Sequence, residues 1–240
     1  MSQPLHIPQA EPPLSPKVSL PTMYDLPSES LEEPGLPDEF HSLQPHLLSE
    51  TFSLTAYTRN EVFTGSDLNL YYDARHPLWY KRPDWFAVTG VPRLYEEQDL
   101  RLSYVLWQEG RSPDVVVELV SPGTEDEDLG KTLDLPAQPP TKWTVYEQIL
   151  RVPYYLVYNR YTNQLQAFTL VSGAYEEVPL TEARCWLPKL QIGLGLWQGE
   201  YREITRPWLR WYDAQGAWIL TKAERLAARL RELGVDPDQV

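Results

Sequence analysis

Apolar and polar residues alternate at Leu68, Leu70 and Tyr72, the two-residue period of a half-buried strand. Three short apolar runs follow, PDWFAVTG, LRLSYVLWQEG and PDVVVELV. Each has the length of a strand and ends in a turn signal. VPYYLVYNRYT reads as a further strand, and QLQAFTLVSGAYEEVPL as a hairpin turning at Ser172 and Gly173. Three segments change to the helical period. The first covers residues 38–52, with Asp38 as its N-cap and Pro45 as a kink or break. The second is KWTVYEQILR, capped by Thr141, with Val145, Ile149 and Val152 on one face. The third closes the chain: Ile219, Ala223, Leu226, Leu230 and Leu233 follow a 4-3-4-3 spacing, and Gly234 stops the helix. That stripe fits a dimer seam or a helix packed on its own domain. Helix, sequential strands, helix and further strands make a mixed α/β layout. Between the last of the three apolar runs and the second helix lies a polar loop rich in Gly and Pro, whose Glu125–Asp128 run reads as solvated.

Composition sets the boundaries. Residues 1–37 hold nine of the 23 prolines and show almost no periodicity, so they are expected to form a tail without fixed structure. The domain is expected over residues 38–205, with 206–240 as a C-terminal helical extension. No run reaches the roughly 18 apolar residues of a membrane span. The N-terminus lacks the basic and apolar regions of a secretory signal. The single cysteine, Cys185, cannot form an internal disulfide. Together these features lead to the expectation of a cytoplasmic protein. The net charge of −13 opposes tight standing contact with a polyanion. It leaves room for a metal-dependent nuclease, whose site must itself be acidic.

One residue breaks the pattern. Glu118 sits inside the run VVVELV, where a buried carboxylate needs a partner. Strand alternation puts Asp114, Val116, Glu118 and Val120 on one face. Asp84 stands at the entrance of the strand DWFAVTG, and if the two strands are neighbours it converges with Glu118. Two converging carboxylates repel each other and favour a cation between them. With oxygen ligands and few histidines nearby, Mg²⁺ or Mn²⁺ is the natural choice. The same spacing also fits carboxylates that are solvated or paired with arginine.

The motifs occur in a fixed order: Pro83-Asp84, then PDVVVELVS, a polar loop with Asp128, Lys142-WTV-Tyr146, and Val152-Pro153-Tyr154-Tyr155. This order resembles the Uma-two family of bacterial restriction-endonuclease-like proteins, over about residues 38–200. The resemblance implies a PD-(D/E)XK nuclease fold, a mixed central sheet flanked by helices. It also implies Mg²⁺-dependent (or Mn²⁺-dependent) hydrolysis of phosphodiester bonds in DNA. Asp84 resembles the first acidic residue of that motif, and Glu118 the acidic residue of its second half; both would hold the metal. The pattern departs at Val120, where the standard form has lysine. Lys142 matches a lysine carried by the following helix, and Lys131, close after Asp128, is the rival. A non-catalytic interaction protein on the same scaffold is the alternative reading.

Overall fold

Every residue of the run Val115–Leu119 is buried, and a strand buried on both faces has to lie inside a sheet. The computed structural model describes residues 38–121 and 123–237; the expectation of an unstructured tail over 1–37 lies outside them. Helix α1 (Glu39–Thr51) comes first, followed by strands β1 (Val62–Gly65), β2 (Leu70–Tyr71), β3 (Tyr80–Lys81), β4 (Trp85–Thr89) and β5 (Tyr104–Val105). A short helix α2 (Leu106–Glu109), strand β6 (Val115–Leu119) and helix α3 (Glu125–Asp128) follow. Helix α4 (Lys142–Thr144) runs on into a π-helical turn (Val145–Ile149). The remainder is β7 (Tyr154–Asn159), β8 (Gln164–Val171), β9 (Ala174–Glu177), β10 (Arg184–Leu187), β11 (Ile192–Tyr201), β12 (Ile204–Tyr212) and helix α5 (Lys222–Glu232).

The central sheet has the order β1-β4-β6-β7-β8-β9. Only β6 and β7 pair in parallel; the other neighbours are antiparallel. A parallel pair needs a long crossover, and this one carries α3 and α4. The expected mixed sheet flanked by helices is therefore present. The β8–β9 hairpin turns at Ser172 and Gly173, both at positive φ, as a two-residue primed turn requires.

Alternation along β4, β6 and β7 feeds two separate cores. Trp85, Val115, Val117, Leu119, Leu156 and Tyr158 point to one side, where α1 and β12 supply Phe40, Leu47, Leu48, Trp208 and Trp211. Phe86, Val88, Val116, Tyr155 and Val157 point to the other, against Val145, Tyr146, Leu70 and Tyr104. Glu118 has the parity of Val116 and so enters the second side.

The second sheet, β10-β11-β12, departs from the sequence reading. β12 crosses the boundary expected at residue 205, and its Trp208, Leu209 and Trp211 fill the first core. Of the expected C-terminal helical extension, residues 222–232 are helical. Glycines obscured the long β11–β12 ribbon, and one of them shows why they are there. Gly193 lies opposite Tyr212, and a Cβ at Gly193 would come within 2.0 Å of the Tyr212 ring. Two smaller expectations also change. LRLSYVLWQEG is a two-residue strand followed by α2, and Ile149 is exposed rather than on a buried helical face. Pro45 lies within α1 without ending it. Among the described residues no helix is long and apolar enough to cross a membrane.

Candidate functional site

The site begins with strand register. Trp85 pairs with Val117 in the β4–β6 ladder, so the next step outward sets Asp84 opposite Glu118. Pro83 has no N–H to continue the ladder, and side chains take over its hydrogen bonds. The Leu119 N–H donates to Asp84 Oδ2 at 2.6 Å, and the Asp84 N–H makes a long contact of 3.4 Å with Glu118 Oε2. Helix α4 supplies the remaining partners. Its N-cap Thr141 accepts from the Thr144 N–H, which fixes the first turn over the end of β6. Lys142 Nζ lies 3.2 Å from Glu118 Oε2 and 2.7 Å from Asp128 Oδ1. Four residues on, the Tyr146 hydroxyl donates to Glu118 Oε1 at 2.7 Å. Each oxygen of Glu118 is thus held by one residue of the same helix.

Glu118 is 0% exposed and Asp128 1%. The buried position of Asp128 corrects the expectation of a solvated acidic run. Its carboxylate also accepts from Thr124, and its carbonyl from the Tyr155 hydroxyl. Glu127, next to it, accepts from Lys81 Nζ and from the Lys142 N–H. Asp84 is half-buried and faces a groove of ≈ 340 Å³, whose walls include His41, Lys81, Leu119 and Lys142.

Burial sets the charge states. Loss of solvent drives the Glu118 carboxyl upward; Lys142 opposes this, the Asp84 charge adds to it, and the net result is about 7. Burial likewise pushes Asp128 up to about 6 against the pull of Lys142. Asp84 is raised as well, by burial, with Lys142 and His41 opposing. Burial alone would lower Lys142, but Glu118, Asp128 and Asp84 outweigh it and hold the amine well above the ordinary lysine value. Lys142 is therefore a fixed ammonium. Three carboxylates share it, and the His41 charge also acts on Asp84.

A second group was not foreseen in the sequence. His41, on the first turn of α1, places Nδ1 2.9 Å from Asp38 Oδ1. Its Nε2 lies 3.1 Å from the Leu119 carbonyl oxygen and 3.1 Å from Ser121 Oγ. Asp38 is also paired with Arg160. Asp, His and Ser in line have the outline of a nucleophilic triad, but the protonation is wrong. Both ring nitrogens face oxygen acceptors, which calls for an imidazolium. Burial would lower His41, yet the Asp38 hydrogen bond and the Asp84 charge carry it to about 9. An imidazolium cannot take a proton from Ser121. What His41 does is hold the Leu119 backbone at its carbonyl while Asp84 holds the same residue's N–H. Asp38 was legible as an N-cap; no local pattern ties His41 to a strand 78 residues away.

The other candidates lie elsewhere. Lys131 is exposed and sits 3.6 Å from Asp126. Asp114 accepts from the N–H and hydroxyl of Thr89 at the far end of β6. Asp73, a further acidic residue outside the cluster, closes a turn with Arg75 and His76. Among the described residues no group of three or more His, Cys, Asp and Glu side chains is arranged to hold a metal ion.

Residues 18–199 match the family model Uma2, described as "Putative restriction endonuclease". The match starts inside the proline-rich segment rather than at residue 38. No curated protein matches the chain. Among solved structures, the chain is similar to one titled "Crystal structure of a putative nuclease belonging to DUF820 from Anabaena variabilis ATCC 29413". That alignment has 12% identity and a TM-score of 0.44, and it covers 65% of this chain and 76% of the other. The family match takes in well over half of the 240 residues, with Asp84, Glu118, Asp128 and Lys142 all inside it, and the chain belongs to the Uma2 family.

Proposed function

We propose that this protein is an endonuclease that hydrolyses phosphodiester bonds in DNA with the help of Mg²⁺ or Mn²⁺. One observation carries the reading: Asp84, Glu118 and Lys142, brought by two neighbouring strands and a helix, form one cluster, and Asp84 and Lys142 line a groove beside the buried Glu118. The donor chemistry fits a hard cation. Two converging carboxylates, both with raised proton affinity, gain from a divalent ion between them. Mg²⁺ commonly takes only one or two carboxylates and completes its shell with water and substrate phosphate, so the lack of a third side-chain ligand is no obstacle. Asp84 and Glu118 would hold the ion, which when bound polarises a phosphoryl oxygen.

The protein's own groups have separate tasks. Lys142, fixed as an ammonium, cannot act as a base; it donates hydrogen bonds, orients the attacking water and offsets charge that builds on the phosphate. Asp128 and Glu118 hold Nζ in place. Tyr146 holds Glu118 Oε1, leaving Oε2 toward Asp84 and Lys142. His41 fixes the Leu119 backbone on which Asp84 is seated. Nicking of supercoiled plasmid and of circular single-stranded DNA, with and without Mg²⁺ or Mn²⁺, tests the reading. Wild type should nick only with metal, and Glu118→Gln and Lys142→Met should not nick at all. Metal-dependent nicking retained in either variant would remove that residue from the proposed chemistry.

A second reading, a non-catalytic interaction protein on this scaffold, draws on the net charge of −13 and on groove cations that are already paired. Calorimetric titration separates the two. Uptake of Mg²⁺ or Mn²⁺ near millimolar concentration, lost in Asp84→Asn, supports the nuclease; no uptake supports the alternative.

A further inference from the structure

The small sheet β3-β2-β5 has one covered face and one open face. Leu70 and Tyr104 point inward and are 0% exposed. Tyr71, next to Leu70 on β2, points to the opposite face and pairs directly with Tyr80 on β3. The two rings are 5.5 Å apart between centroids, and Trp107, on α2, lies 6.4 Å from Tyr71. Tyr80 is 45% exposed and Trp107 43%. Three aromatic rings thus form a continuous row with exposed rings, Tyr80 and Trp107, at its two ends. Tyr80 also lines the groove that contains Asp84 and Lys142, so the row leads into the candidate site.

The charges around the groove make this row informative. Lys81 is paired with Glu127, Arg82 with Asp67, and Lys142 with Glu118 and Asp128. Few cations are left to bind a phosphate backbone, and the chain as a whole is acidic. Binding of nucleic acid here needs a source other than phosphate contacts. Stacking of bases on exposed aromatic side chains is such a source and contributes about 1–3 kcal/mol per base. A duplex keeps its base faces inside the stack, whereas a single strand offers them to the protein.

We infer that the Tyr80–Tyr71–Trp107 row is a base-stacking platform and that the strand entering the groove is single-stranded nucleic acid. The inference rests on the nuclease reading for the identity of the groove, and it deepens that reading by naming the form of the substrate. Unpaired bases lie along the row, and the adjoining phosphate is delivered past Tyr80 toward Asp84.

The test is fluorescence anisotropy with the full chain, in chelator so that no cleavage occurs. The probes are a labelled single-stranded DNA, the RNA of the same sequence, and the matching DNA duplex. The single strand should bind more tightly than the duplex. Tyr80→Ala and Trp107→Ala should each weaken it about tenfold, within the range of one stacked base, while Tyr80→Phe and Trp107→Phe should retain binding. Comparison of the DNA and RNA arms identifies the sugar that is accepted. Equal affinity in wild type and alanine variants, preference for duplex, or no binding by wild type would overturn the inference. So would a dimer that the alanine variants dissociate while oligonucleotide binding stays unchanged, because the face would then belong to a second copy. Aromatic-dependent binding without any metal-dependent nicking would keep the platform and remove the nuclease. Nicking of duplex plasmid unaffected by Tyr80→Ala would do the reverse.

Discussion

The two faces of the central sheet share strands β4, β6 and β7 and solve the problem of burial differently. On the side of α1 and β12 the contacts are mostly apolar and aromatic: Trp211 packs against Phe52 and Trp85 and has only its Nε1–H to satisfy, on the Leu48 carbonyl. On the side of α4, the sheet carries Phe86, Val116 and Val157 until the last turn of the pattern, where Glu118, Asp128, Lys142 and Tyr146 replace hydrocarbon with charge. The first face can be stable with any good packing. The second is stable only while all its members are present, because a buried charge that loses its partner is penalised more heavily than the intact pair is rewarded. Buried charges that packing does not require make this second face the candidate for chemistry.

The comparison can be broken most forcefully at its two centres. Trp211→Ala should lower unfolding free energy by about 3–5 kcal/mol, the range for deletion of a large core aromatic, and the deficit should be the same at pH 5 and pH 8. Lys142→Met should cost a similar amount, about 3–5 kcal/mol, at pH 8. Its deficit should shrink at pH 5, where Glu118 and Asp128 take up protons and no longer need a cation. Urea denaturation at both pH values measures the contrast, and a pH-independent loss in Lys142→Met would refute it.

A milder change isolates one carboxylate. Glu118 holds its proton more tightly in the folded than in the unfolded chain, so wild type loses this contribution to stability as pH rises from 4.5 to about 7. Glu118→Gln escapes that loss. Its stability relative to wild type should climb across this window and level off above it, as read from thermal melts over a pH series. Smaller again is His41→Gln, which removes charged hydrogen bonds to Asp38 and Leu119; about 1.5–3 kcal/mol is expected. The smallest effect belongs to Lys131→Ala. That lysine is exposed and its pair with Asp126 is long, so stability should change by no more than about 0.5 kcal/mol and plasmid nicking not at all. Loss of nicking in Lys131→Ala would reopen the choice between the two lysines.

What could be read from the chain follows from how local each signal is. Glu118 stood out because one charge interrupts an apolar alternation. Asp84 followed from its place beside Pro83 at the head of a strand. Lys142 was legible only through the family resemblance, by its place ahead of Tyr146 and Val152-Pro153. Asp128 was hidden: in EDED it looks like its neighbours, and only the fold makes it the buried one. His41 was hidden because its contacts lie on a distant strand. The β11–β12 ribbon was hidden because Gly193, Gly195 and Gly199 weaken the strand signal, although Gly193 is what lets the Tyr212 ring lie flat across the ribbon.

Carrying the lysine on α4 rather than on β6 also changes which parts of the chain can vary in length. Residues 135–139 are exposed and lie outside the cluster, and a longer loop there adds only about 0.6 kcal/mol of closure entropy for each doubling. A single residue inserted between Lys142 and Tyr146 would instead swing one of them about 100° around the helix axis and release one oxygen of Glu118. Insertions and deletions should therefore accumulate just before Thr141 and be excluded just after it, a sharp border between variable and invariant length within one crossover.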